Sequence, residues 1–308
     1  MTQKTQQLTP IDLYQQVTDQ LIAALETSTD WVMPWHKAKL KIPQNALTKN
    51  PYKGINILSL WMASCEKRYT SPFWGTYKQW QDLGANVRKG EKGHPIVFYK
   101  DFETEEKNEE TEESDTVKRF VLKSSSVFNA QQVDGFEIPE EEAPANTFDP
   151  LEHVETFISN TGAPIVHGFF SAFYRVSEDV IAMPNPGRFM ETETGSAKEA
   201  YYSTLLHELA HWTGHQSRLN RLIPTARFGS ESYALEELIA EITSAFLCAE
   251  LGITASPRQD HANYIASWLK VLKNDKRAIF YAARQATLAA EFLKEEGQRG
   301  PNRLSTNN

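Results

Sequence analysis

The sequence predicts an α+β protein of two domains, on three observations. Its 308 residues are 40% hydrophobic, and two cores fit that length at roughly 100–200 residues per domain. Short strand-like runs occur in both halves, whereas nearly everything beyond Lys198 reads as helix. A stretch rich in Pro, Glu and small residues, "PEEEAPANTF" at 139–148, has the composition of a linker. The expected organisation is a first domain over 1–138, a linker over 139–149 and a second domain over 150–308.

In chain order, residues 11–26 place Leu13, Val17, Leu21, Ile22 and Leu25 on one helical stripe. After an irregular Trp/Pro stretch, "ILSLWMASCEKR" reads as a second helix and "TYKQWQDLG" as a third, ending at Gly84. "HPIVFYK" and "KRFVLKSSSVFN" read as strands. Between them, residues 101–116 hold nine acidic residues and one lysine, expected to form a solvated, mobile hairpin loop because like charges repel. In the second half "LEHVETFISNTG" is helical, and "PIVHG", "SAFYRV" and "DVIAMP" are short strands. Four helical runs follow, the second of them with Ser232 as its expected N-cap. Short strands followed by a helical bundle make a second α+β unit.

The acidic insert accounts for the whole net charge of −8, so the rest of the chain sums to zero. Residues 1–100 carry thirteen Lys/Arg against seven Asp/Glu, a basic balance that the insert conceals. Only Cys65 and Cys248 are present, in unlike contexts, which gives neither a disulfide framework nor a cysteine metal cluster. No apolar run reaches the ~18–20 residues that span a bilayer. The first residues lack the basic-then-apolar pattern of a leader. The expected setting is therefore cytoplasmic, with no membrane partner.

Chemistry concentrates in "LLHELAHWTGH", residues 205–215. His207 and His211 are four apart on a predicted helix, so their side chains leave one face about 6 Å apart at the backbone. Two imidazoles so placed can grip one Zn²⁺. Glu208, next to the first ligand, is positioned to move a proton rather than to bind the ion. The apolar flanks Tyr202, Leu205, Leu206, Leu209 and Ala210 favour this reading, because a polar cluster in an apolar helix is costly without partners.

A third ligand is expected from "SYALEELIAEITSAFLCAELG", where Glu237 and Glu241 lie one turn apart beside the stripe of Leu238, Ile242 and Ala245. One of them can ligate while the other accepts a hydrogen bond from a ligand imidazole and fixes its tautomer. Glu237 is the first candidate ligand and Glu241 the orienting partner or alternative ligand. The HExxHxxGxxH route is closed, because Ser217 stands where a third histidine would be. On a continuous helix His215 would lie about 12 Å from His207, so it remains a minor candidate beyond Gly214. His167 and His261 are read as surface or core histidines. Two histidines and one glutamate with an open fourth position form the arrangement of a catalytic, gluzincin-like zinc site.

The blocks "YYSTLLHELAHWTGHQSRLNR", "YALEELIAEITSAFLCAELGI" and "HANYIASWLKVLKND" resemble the zincin-like metallopeptidase domain of ArdC-type antirestriction proteins, a pattern shared with TraC-type plasmid primases. "PWHKAKLKIPQNALTKNPYKGINILSLW", "FWGTYKQWQDLGANVRKGEKG" and "VFNAQQVDG" are similar to the N-terminal domain of that family, implicated in binding single-stranded DNA. The resemblance covers nearly the whole chain; the acidic insert falls outside it. It implies a protein borne by a plasmid or mobile element that protects incoming DNA from host restriction. It carries the metal-site roles to His207, Glu208 and His211, with the glutamates of "EELIAE" completing the set. A host protein, such as a restriction component, becomes a candidate substrate. One Zn²⁺ per chain, or another divalent transition metal, is the implied cofactor.

The first domain can be weighed on its own residues. Single-strand binding needs cations for phosphates and exposed aromatics for bases. Tyr52 and Lys53 precede a glycine, "FWGTYKQW" interleaves Trp74, Tyr77 and Trp80 with Lys78 and Gln79, and Arg88, Lys89 and Lys92 occupy a glycine-bearing turn. The candidate DNA contacts are Tyr52, Lys53, Trp74, Tyr77, Lys78, Arg88, Lys89 and Lys92, although most aromatics of so small a domain are needed for its core. The competing reading is a binding module that occludes the entering strand and whose metal site is structural or vestigial.

Overall fold

The computed structural model describes residues 10–27, 40–107, 114–139, 151–191, 195–222, 230–254 and 261–299. The expected linker, 139–149, lies almost wholly outside them. The architecture is α+β with two units, as the sequence predicts.

In the N-terminal part, α1 (Pro10–Thr27) precedes β1 (Gln44–Asn45), α2 (Ile55–Lys67), β2 (Phe73–Thr76) and α3 (Tyr77–Asp82). Then come β3 (Asn86–Val87), β4 (His94–Lys107), β5 (Ser114–Asn129) and β6 (Val133–Asp134). The main sheet has the order β1-β2-β5-β4, with β1 parallel to β2 and the other pairs antiparallel; β3 and β6 form a separate two-stranded ladder. Thr76 caps α3 through a capping box with Gln79. Trp80 then drops into the sheet, fully buried, with its indole N–H on the Phe128 carbonyl at 3.1 Å.

The acidic insert departs from expectation. The β4–β5 ladder runs on from His94↔Val127 to Lys107↔Ser114, so residues 101–107 and 114–116 are paired strand. Pairing of the two strands satisfies the backbone N–H and C=O groups along the ribbon. Residues 108–113 lie outside the described residues.

In the C-terminal part, α4 (Glu152–Asn160) leads into β7 (Ile165–His167), β8 (Phe173–Arg175) and β9 (Val180–Met183). These form a sheet ordered β7-β9-β8, with β7 parallel and β8 antiparallel to the central β9. Four helices follow: α5 (Ala197–Thr213), α6 (Glu231–Leu251), α7 (His261–Asn274) and α8 (Ala278–Arg299). The N-cap of α6 is Ser230, whose hydroxyl accepts from Tyr233 N–H, and not Ser232. Both serines are competent; the helix begins one turn-half earlier, and Ser232 sits inside it. Gly252 ends α6 in the left-handed region, where glycine carries no Cβ penalty.

The main core joins the two parts. Val17, Leu21 and Leu25 of α1 and Leu58 and Trp61 of α2 belong to the same buried cluster as Phe246, Ile265 and Leu293. Trp61 meets Phe246 edge-on, with ring centroids 5.6 Å apart. The Thr18 hydroxyl donates to the Lys276 carbonyl between α7 and α8. Among the described residues, no helix is long and apolar enough to cross a membrane.

Candidate metal centre

The centre is built where α5 and α6 run antiparallel. At one end Glu199, in a capping box with Ser196, also accepts from the amide and hydroxyl of Thr254. Midway, Ser244 donates to the Ser203 carbonyl. This register brings His207 opposite Glu241 and His211 opposite Glu236, with Glu237 between them.

His207 Nε2 and His211 Nε2 lie 3.2 Å apart. Glu237 turns one carboxylate oxygen toward each, at 3.4 and 3.6 Å. Ligands held at about 2.0–2.1 Å around a tetrahedral ion are separated by about 3.3 Å, so the three donors fit one Zn²⁺-sized cation. Among the described residues, these three form a group whose ligand atoms all lie within 4.8 Å of one another. All three residues are buried.

The outward nitrogens strengthen the fit. His207 Nδ1 is 3.5 Å from Glu241, and His211 Nδ1 is 3.1 Å from Glu236. A proton on each Nδ1, facing a carboxylate, leaves each Nε2 lone pair aimed at the common point. Glu241 thus stands on the far side of His207 from Glu237.

Glu236 falls among the "EELIAE" glutamates that the resemblance points to, but the spacing argument assigns it no role, and the arginine that holds it carries no sequence signal. Arg221 donates from Nε and Nη2 to the two oxygens of Glu236, at 2.7 and 2.8 Å. The same guanidinium donates to the Ala210 carbonyl and the Thr213 hydroxyl at the end of α5. Burial raises the Glu236 carboxyl, but Arg221 and His211 outweigh it and hold the group below its ordinary value. Gly214 lets this loop close on the helix end: a Cβ there would meet Leu222 at 2.9 Å and Arg221 at 3.0 Å. The only sequence signal was a third glutamate beside the two weighed.

Glu208 is buried beside the pair and lines a cavity of about 700 Å³ together with His211. Phe173, Tyr174, Tyr233, Ile239, Tyr264 and Tyr281 supply much of its wall. Burial first, and then the Glu237 carboxylate to which it hydrogen-bonds, push the Tyr233 phenol well above its ordinary range. His215 stays outside: its Nδ1 lies 2.7 Å from the Ser217 hydroxyl. His167 pairs with the Tyr201 hydroxyl at 2.9 Å.

The candidate DNA contacts separate into two groups. Tyr77, Lys78, Lys89 and Lys92 are exposed, Tyr77 by 53%. Lys53 is exposed and paired with Glu291 at 2.6 Å. Arg88 is exposed but turned to Glu91, Asp134 and the Gln131 carbonyl. Tyr52 is half-buried, near Asn45 and the Trp74 carbonyl. Trp74 corrects the expectation, being 1% exposed in a cluster with Leu60, Ala63 and Val127. It lies on the covered face of β2 and offers no ring to a base.

Residues 152–285 match the family described as a zincin-like metallopeptidase, and residues 11–128 match the N-terminal domain of anti-restriction factor ArdC. The chain is 41% identical over 298 residues to the uncharacterized protein y4eC of Sinorhizobium fredii, covering 95% of this chain and 94% of the relative. It is 41% identical over 297 residues to the DNA primase TraC of Escherichia coli, covering 91% of this chain but only 27% of the primase. Among solved structures, the metal-free antirestriction ArdC protein of the R388 plasmid superposes with a TM-score of 0.75 at 38% identity, covering 94% of this chain and 99% of that one. The Mn(II)-bound form of that protein gives 0.74 at 40% identity, covering 93% and 98%.

Proposed function

Since the chain belongs to the ArdC-type antirestriction family, with that family's N-terminal domain and a zincin-like metallopeptidase domain, we propose that it protects incoming DNA from host restriction. It does so in the cytoplasm by binding the DNA as a single strand and by cleaving a peptide bond in a host protein, such as a restriction component. The observation that carries the peptidase half is the convergence of His207, His211 and Glu237 on one point beside a buried Glu208.

His207, His211 and Glu237 would hold one Zn²⁺ per chain, and the Mn(II) found in a relative supports a divalent ion in such a site. When bound, the ion supplies a Lewis acid that polarises a peptide carbonyl and makes water more acidic. Glu208 takes up a proton at its carboxylate and returns it to the leaving amine. Glu241 and Glu236 keep the two imidazoles in one tautomer and one orientation. The adjoining cavity orients the substrate chain and shields the centre from bulk water. A purely structural ion is disfavoured, because the R388 relative keeps its fold in a metal-free form.

For the strand, exposed Tyr77, Lys78, Lys89 and Lys92 supply a ring and three cations on one unit. The test is Glu208→Ala, assayed in parallel for single-strand binding, proteolysis and protection during DNA transfer. Loss of proteolysis and protection with binding retained supports the proposal. Full protection by that variant would assign the function to strand coating instead.

A further inference from the structure

A second cavity, of about 470 Å³, lies where the start of α2 faces α8. Its wall includes Arg277, Arg284 and Lys53, the last paired with Glu291 at 2.6 Å, and among the described residues that line it there is no carboxylate. Arg277 stands just before α8, its carbonyl accepting from Tyr281 N–H at 3.0 Å, and Tyr281 and Arg284 follow on the helix at spacings of four and three; all three are exposed, with the ring between the two guanidiniums. The ends of that stripe are about 10 Å apart along the helix. Neither guanidinium forms an ion pair among the described residues; Arg277 lies over the Tyr14 ring at 5.5 Å. Tyr281 is 45% exposed.

We infer that this junction cavity is a binding site for a single-stranded nucleic acid segment, with phosphates on Arg277 and Arg284 and a base against Tyr281. Cations alone would suit any acidic chain. An exposed ring set between two of them is what a strand requires, because its bases stack and its phosphates flank the stack. The choice of strand as occupant rests on the single-strand reading above. Tyr281 also lines the cavity at the metal centre, so the two cavities share that side chain. This places part of the strand path on the zincin-like domain, away from the turn that holds Lys89 and Lys92.

Fluorescence anisotropy of a labelled oligothymidylate, titrated with the full chain over a range of salt, tests this. In Arg277→Gln/Arg284→Gln the slope of log affinity against log salt should fall in magnitude by about 1.4, from two phosphate contacts at about 0.7 each. Tyr281→Ala should weaken binding about tenfold, and Tyr281→Phe should restore it, with circular dichroism unchanged throughout. Wild-type affinity and slope in the double variant overturn the site while leaving the single-strand reading intact. Failure of the wild-type chain to bind overturns both. Displacement by polyglutamate or by thymidine monophosphate as effective as by the oligonucleotide overturns the assignment to a strand.

Discussion

His211 Nδ1 lies 3.1 Å from Glu236 Oε1, and Glu236 is itself gripped through both oxygens by Arg221. The arginine therefore positions an imidazole it does not touch. Glu236→Gln should lower metal affinity by about 10–100-fold, the usual cost of losing an orienting partner. Arg221→Lys should also weaken it, because an ammonium cannot reproduce the two-pronged grip. Competition with a chromogenic chelator measures both; unchanged affinity in Glu236→Gln would remove the positioning role.

Glu208 is buried at the same centre but is not one of the converging donors. Glu208→Gln should keep the metal and lose about 10²–10⁴-fold in peptide hydrolysis, the span typical of general acid–base groups. A variant that loses its metal instead would place Glu208 among the ligands.

Acid stability should report on Glu199. Burial raises its carboxyl, but hydrogen bonds from Ser196 and Thr254 dominate and bring it to about 2, from an ordinary 4.5. Because the folded value is depressed, its stabilisation is complete above pH 4.5 and is lost as pH falls toward about 2. Thermal melts of Glu199→Gln should therefore fall below wild type at neutral pH and approach it in acid. A constant difference across that window would contradict the assignment.

Lys89 and Lys92 are exposed, whereas Trp74 is core. Lys89→Gln/Lys92→Gln should reduce the salt dependence of single-strand binding by about 1.4 in slope and leave the melting temperature unchanged. Trp74→Ala should destabilise the fold by about 3–5 kcal/mol. If folded Trp74→Ala loses strand affinity while the lysine variant keeps the wild-type slope, the two roles are reversed.

How much of this could be read from the sequence depends on the range of the interaction. His207, Glu208 and His211 were legible because four-residue spacing on one helix is local geometry. Glu237 and Glu241 were legible as a pair for the same reason, but their separate roles depend on which side of His207 each one faces. The role of Glu236 within "EELIAE" and its contact with Arg221 were not legible, since they require the antiparallel pairing of α5 and α6 and the return of the loop after Gly214. The Trp74 error has a similar origin: strand alternation tells which residues share a face, not which face the core covers. Tyr281 and Arg284 lay inside a helix whose periodicity was plain, with Arg277 just before it, but their cavity exists only where α8 meets α2.

Metal content of the purified chain, measured by inductively coupled plasma mass spectrometry, tests the central claim most directly. The account predicts one zinc per chain in wild type, its loss in Glu237→Ala, and retention in His215→Ala. Wild-type chain that binds no divalent ion, or Glu237→Ala that keeps a full equivalent, would contradict it.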